Sequence, residues 1–206
     1  MTQGGSGMNE DIEKQTPEAV TGAADDKKKK KPNEITDLYD WLQCIVSALV
    51  VCILLFTFVA RTCGVVGPSM ENNLYEGERL IISNLFYTPR RGDIVIFRKD
   101  SFRDEPIVKR IIALEGQTVD IDFIAGAVYV DGELLEEDYI KEPTYRSLDF
   151  EGEITVPEGC VFVLGDNRNH SNDSRDALIG CVDARYIIGK AYWRIAPLER
   201  FGSLYE

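Results

Sequence analysis

Three side chains in this sequence are placed to activate a hydroxyl or to be one: Ser69 in "GVVGPSMENN", Lys109 in "PIVKRIIAL" and His170 in "GDNRNHSNDSR". A serine hydroxyl is a poor nucleophile until a neighbouring base takes its proton, and histidine and lysine are the two bases on offer. His170 is the only histidine, so a histidine-rich zinc site is excluded by supply. No C-x-x-C pair and no glycine-rich phosphate loop is present. The expected chemistry therefore uses hydroxyls, carboxylates and lysine, with no metal and no cofactor.

The two candidate bases differ in setting. His170 lies between Asp166 and Asp173 and could complete a triad with Ser69. Lys109 shares one face of a period-two strand with Ile107 and Ile111. An ammonium among isoleucines is costly, and desolvation favours the neutral amine that accepts a proton. Arg110 has a similar apolar setting but cannot act as a base, because guanidinium keeps its proton in proteins. Each segment also has a plainer reading. Gly-Pro-Ser is commonly a turn, a strand lysine can lay its stem along a sheet, and Asp- and Asn-rich loops make Asx turns.

These groups need elements to hold them. From Trp41 to Ala60 the chain runs twenty residues without a charge, which as a helix matches the hydrocarbon thickness of a bilayer. Forty residues precede the run and no A-x-A-like site follows it before Arg61, so a retained anchor is expected rather than a cleaved signal sequence. The lysine block from Lys27 to Lys31 places the amino side in the cytoplasm and the segment after Arg61 outside. Residues 1–40 carry almost no apolar periodicity and read as a disordered tail. Residues 61–206 hold 17 basic and 26 acidic side chains, a net of −9, which argues against nucleic acid as a partner. Cys63, Cys160 and Cys181 would lie outside, where disulfides are permitted; a Cys160–Cys181 bridge is conceivable from sequence alone.

After the anchor, short runs of β-branched and aromatic residues alternate with turn residues, without an amphipathic helical repeat. Strands are expected at 92–97, 106–114, 118–123, 160–166 and 185–195, and Asp131-Gly132 suits the two-residue turn of a hairpin over 127–135. The fold class is then mostly β: an antiparallel catalytic domain at 61–206, behind a transmembrane helix at 41–60. An insertion is expected around 120–158, its more acidic part running from about 135 and broken by Pro143 and Pro157.

Taken together and in this order, "GPSM", "RRGDIVIF", "VKRIIALEGQTVDI" and "GDNRNHSNDSR" resemble the motifs of the bacterial type I signal peptidases, over about residues 61–196. The last segment carries every fixed position of that family's G-D-N-R-x-x-S-x-D-S-R motif. The resemblance implies a mostly antiparallel β fold with a β insertion, Ser69 as nucleophile and Lys109 as general base. It implies that Ser171 orients the lysine amine, and that Asp173 and Arg175, with Asp166 and Arg168, hold the loop through carboxylate–guanidinium pairs. Arg110 would be a structural neighbour of the base. The implied partners are exported preproteins, cut after small residues, and the lipid bilayer; the implied location is the cell membrane.

Two departures stand out. The family pattern S-M-x-P-T-L is here "SMENNL", with Asn72 and Asn73 in place of proline and threonine, which implies a less rigid loop. Some members carry an oxyanion-donating serine two places before the nucleophile, where this chain has Gly67. The remaining candidate donor is the Ser69 backbone N–H; an oxyanion donor lost without replacement costs roughly 3 to 4 kcal/mol. Two other readings remain open from sequence: a serine hydrolase that uses His170, and an anchored β domain that binds a partner without catalysis.

Overall fold

The computed structural model describes residues 34–58 and 61–205. Helix α1 spans Glu34–Phe58. The expected tail therefore ends earlier than residue 40, and its part up to residue 33 lies outside the described residues. Asp37 falls in the first turn of α1, where a carboxylate complements the positive end of the helix dipole, so a stretch that looks unstructured in sequence belongs to the helix instead. Positions 59 and 60 of the expected span also lie outside the described residues. The stretch Asp37–Leu54 has a mean hydropathy of 1.7 and none of it is buried against protein, so α1 is long and apolar enough to cross a membrane.

The remainder is built from antiparallel strands: β1 (Arg61–Gly64), β2 (Arg79–Ser83), β3 (Ile94–Lys99), β4 (Arg103–Leu114), β5 (Thr118–Asp122), β6 (Ala127–Val130), β7 (Glu133–Leu134), β8 (Ile154–Thr155), β9 (Cys160–Leu164), β10 (Val182–Asp183), β11 (Ile187–Ala196) and β12 (Gly202–Ser203). The larger sheet runs β1-β2-β11-β3-β4-β9-β10, with β12 added to β11; the smaller runs β7-β6-β5-β8. The five expected strands correspond to β3, β4, β5, β9 and β11. Asp131 and Gly132 both have positive φ, at 53° and 79°, and join β6 to β7 as the two-residue hairpin turn. β2, which the sequence pattern left unassigned, pairs with both β1 and β11. The smaller sheet occupies the stretch expected as an insertion and is closed by the pairing of Thr118 with Thr155.

β4 is buried on both faces from Ile107 to Ala113, as expected of an inner strand flanked by β3 and β9. Because side chains alternate, Ile107, Lys109 and Ile111 point one way and Val108, Arg110 and Ile112 the other. Lys109 is opposite Val95 on β3, and Arg110 is opposite Leu164 on β9. The chain leaving β9 thus brings Gly165 and Asp166 alongside Arg110. Three apolar clusters stabilise this arrangement, and one of them packs Val65, Met70 and Leu74 against Leu80, Ile94, Ile96 and Val108.

Candidate active site

The segment after β1 turns sharply. Gly67 takes a left-handed φ of 81°, Pro68 follows, and Glu71 N–H donates to the Pro68 carbonyl at 3.1 Å. Leu74 N–H donates to the Met70 carbonyl at 2.8 Å, closing one helical turn. Met70 and Leu74 are four residues apart, lie on one side of that turn and are almost wholly buried, so the turn is fixed to the core with Ser69 at its start. The backbone at Gly67 explains the glycine there: a left-handed conformation costs an ordinary side chain roughly 1 to 2 kcal/mol. Among the described residues the Ser69 N–H has no backbone acceptor, which leaves it available to an oxyanion.

Lys109 reaches Ser69 from β4. Its Nζ lies 2.7 Å from Ser69 Oγ and 3.0 Å from the Val108 carbonyl oxygen, and the residue is 2% exposed. Burial lowers its pKa from 10.5 to about 8; Asp173 pulls it back up, Arg103 pushes it down, and Asp166 and Arg175 act in opposite directions. A neutral amine has two N–H donors and one lone pair. With the Val108 carbonyl taking one donor, the lone pair is free to face the Ser69 hydroxyl.

The loop after β9 supplies the frame. Asn167 N–H donates to the Ser69 carbonyl at 3.0 Å and its side-chain amide to the Pro68 carbonyl at 3.0 Å, clasping the nucleophile from behind. A Cβ at Gly165 would collide with the Ser171 hydroxyl and the Ser69 carbonyl oxygen, so this glycine is required by close approach rather than by φ. Arg175 and Asp173 form a fully buried bidentate pair, Nε to Oδ1 and Nη2 to Oδ2 both at 2.8 Å. Burial pushes the Asp173 carboxyl up, but Arg175, the Gly165 N–H and Lys109 outweigh it, and the carboxyl sits below its ordinary value.

The other pairing differs from the expectation. Asp166 does not pair with Arg168; it takes Arg110 bidentately, Nε to Oδ1 at 2.9 Å and Nη2 to Oδ2 at 2.7 Å. Arg168 starts a short 3₁₀ turn, Arg168–His170, that carries its guanidinium away to Glu137 and to Thr144 Oγ1 at 2.9 Å. Ser171 is 1% exposed and lies in this loop, yet among the described residues its Oγ has no hydrogen-bond partner, so the expected bond to Lys109 is not made. The Lys109 amine is directed at Ser69 and Val108 instead. One N–H of a neutral amine remains, and a buried hydroxyl without a partner is a costly acceptor to leave idle.

His170 is on the outside. Its side chain is 68% exposed and its Nδ1 faces Glu142 Oε1 at 3.7 Å, with no hydrogen bond to Ser69. Cys160 and Cys181 are free thiols, so the conceivable bridge is not formed. Asn72 and Asn73, expected to loosen the turn, tie it down: Asn72 Nδ2 donates to the Tyr139 and Ile140 carbonyls at 3.0 and 3.2 Å, and Asn73 Nδ2 to Tyr139 O and Asp166 Oδ2 at 2.6 and 2.8 Å. Glu137, Tyr139 and Asn167 were not identified from sequence. The first two lie in the acidic stretch without periodicity, and only their charge and ring chemistry distinguished them from loop.

Sequence comparison places the chain in a known family. The family described as "Signal peptidase, peptidase S26" matches residues 38–196. A probable signal peptidase I-1 of Synechocystis sp. is 39% identical over 170 residues, covering 78% of this chain and 83% of its own. The signal peptidase I of Bacillus licheniformis is 34% identical, covering 82% of this chain and 95% of its own. A crystal structure of a signal peptidase I from Enterococcus faecalis is 33% identical, with a TM-score of 0.43 over 50% of this chain and 97% of that one. On its sequence, this chain belongs to the signal peptidase family S26.

Proposed function

We propose that this chain is a membrane-anchored serine endopeptidase that removes signal peptides from exported preproteins, with Ser69 as nucleophile and Lys109 as general base. The observation that carries the reading is the buried Lys109 Nζ, 2.7 Å from Ser69 Oγ and without an ion-pair partner among the described residues. In the reaction, Ser69 Oγ bonds to the carbonyl carbon at the end of the signal sequence while its proton passes to Nζ of Lys109. The Ser69 N–H faces the developing oxyanion. Collapse of the tetrahedral intermediate breaks the C–N bond, and Lys109 returns the proton to the amine of the departing mature protein. The signal peptide stays esterified to Ser69 until Lys109 takes a proton from water, whose hydroxide attacks the ester carbonyl; the proton then returns to Ser69.

Asp173, Arg175, Asp166 and Arg168 act as a scaffold that keeps Ser69 and Lys109 in register. Helix α1 serves as the anchor: its apolar stretch is long enough to span, and the lysine block before it favours a cytoplasmic amino terminus with the β domain outside. An anchor close in sequence to the serine confines the nucleophile to the layer where cleavage sites emerge. The preference for small residues before the cut is carried over from the family resemblance.

The test is cleavage of a purified preprotein in detergent by wild type, Ser69→Ala, Lys109→Ala and His170→Ala. Activity in the first and last, with loss in the other two, is expected. Activity that survives Lys109→Ala, or is lost with His170→Ala, overturns the dyad.

A further inference from the structure

The nucleophile turn is held at two ends, and the second hold is made by a residue outside the expected catalytic set. At its start, Asn167 takes the Pro68 and Ser69 carbonyls. At its end, the side-chain amide of Asn73 donates to Asp166 Oδ2 at 2.8 Å and to the Tyr139 carbonyl at 2.6 Å. Both acceptors are oxygens without a proton, so only the NH₂ end of the amide fits there. Asp166 in turn binds Arg110, which is adjacent to Lys109 on β4, and the Arg110 guanidinium carbon lies 4.1 Å from the centre of the Tyr139 ring. The Asn73 carbonyl also accepts from Arg194 Nη1 at 2.8 Å. A continuous path of hydrogen bonds, Asn73–Asp166–Arg110, therefore joins the turn that carries the hydroxyl to the strand that carries the amine without passing through either reacting atom.

We propose that Asn73 is a positioning residue that sets the Ser69–Lys109 separation by linking the nucleophile turn to Asp166 and, through Arg110, to the base strand. The inference rests on the peptidase reading above. It also assigns a role to Glu137–Lys141: this stretch gives Asn73 its second acceptor, its Lys141 N–H donates to the Asp166 carbonyl at 3.0 Å, and Lys141 Nζ pairs with Glu71 at 2.7 Å. The link matters because catalysis depends steeply on alignment: a misplacement of about 1 Å costs on the order of a hundredfold in rate.

Asn73→Asp keeps the shape but turns a carboxylate towards the Asp166 carboxylate and a carbonyl. In the full-length protein, it is expected to lower kcat for preprotein cleavage about a hundredfold while KM stays within about twofold. Asn73→Ala, which adds no charge, is expected to lose about tenfold and answers the question should the aspartate variant not fold. In an Asp166→Asn background the further loss from Asn73→Asp should shrink to a few-fold, because the repulsion has been removed. Arg185→Ala removes an exposed ion pair with Asp183, touches none of these residues, and is expected to keep wild-type kcat. Wild-type kcat in both Asn73 variants overturns the proposal, as does an Asn73→Asp loss of equal size with and without Asp166. A wild-type protein that cuts no preprotein defeats the peptidase reading instead.

Discussion

Two neighbouring sets of buried cations follow opposite rules. Arg110, Arg168 and Arg175 are all nearly inaccessible, and each is matched by a carboxylate: Asp166, Glu137 and Asp173. Lys109 is just as buried, one residue from Arg110, and has no carboxylate in ion-pair contact among the described residues. Burying a charge is tolerated where a partner and hydrogen bonds compensate it, and an uncompensated group relieves the cost by losing its charge. The guanidiniums cannot take that route and the amine can. The same burial therefore makes one region a rigid frame and the other a base.

The largest effect should come from erasing this difference. Lys109→Arg places a permanent cation where a proton acceptor is needed, and it should lower preprotein cleavage by about 10⁴-fold or more, as should Ser69→Ala. Retained activity in Lys109→Arg would show that the amine is not the base.

The frame is broken from the other side by Arg175→Met, which leaves Asp173 buried without its partner. The expected cost is about 3 to 5 kcal/mol of unfolding free energy, read by urea titration. A loss below about 1 kcal/mol would mean the pair is not stabilised by mutual compensation.

The third prediction concerns proton linkage. The Lys109 pKa falls from 10.5 in the unfolded chain to about 8 in the fold, so between these values the unfolded state binds more protons and stability rises with pH. Below about 8 both states are charged and the contribution is constant. Relative to Lys109→Met, wild type should gain about 3 kcal/mol of stability on going from below pH 8 to above 10.5. Parallel stability curves for the two proteins would remove the depressed pKa. The cleavage rate should rise over the same lower edge, increasing through about pH 8 as the amine becomes neutral.

The smallest effect is reserved for a side chain outside both regions. His170→Ala should leave cleavage within about twofold and stability nearly unchanged, since the ring is exposed and meets Glu142 only at 3.7 Å.

Much of this contrast was legible before any coordinates. Lys109 among isoleucines on a period-two strand already indicated burial, and β4 is buried from Ile107 to Ala113. The hairpin at Asp131-Gly132 was readable because positive φ restricts residue choice. The partners of Arg110 and Arg168 were not readable. Arg168 is two residues from Asp166 in sequence, but the 3₁₀ turn separates them, and Glu137 meets Arg168 from the insertion. Asn72 and Asn73 were misjudged for the same reason: read as a local turn they look like a loss of stiffness, whereas their hydrogen bonds are made to carbonyls some 66 to 68 residues further along the chain.

By itself, the sequence determined which groups had chemistry to offer, that the chain after Arg61 is β, and which of two adjacent cations can give up its proton, because these depend on residue type and on a local period of two. Tertiary structure alone decided that Lys109 and Ser69 meet at 2.7 Å, which carboxylate each arginine takes, and that Asn73 joins the nucleophile turn to the base strand. Those are contacts between residues far apart in the chain. Their geometry is set by strand register and by the packing of Met70, Leu74 and β4, which no local pattern encodes.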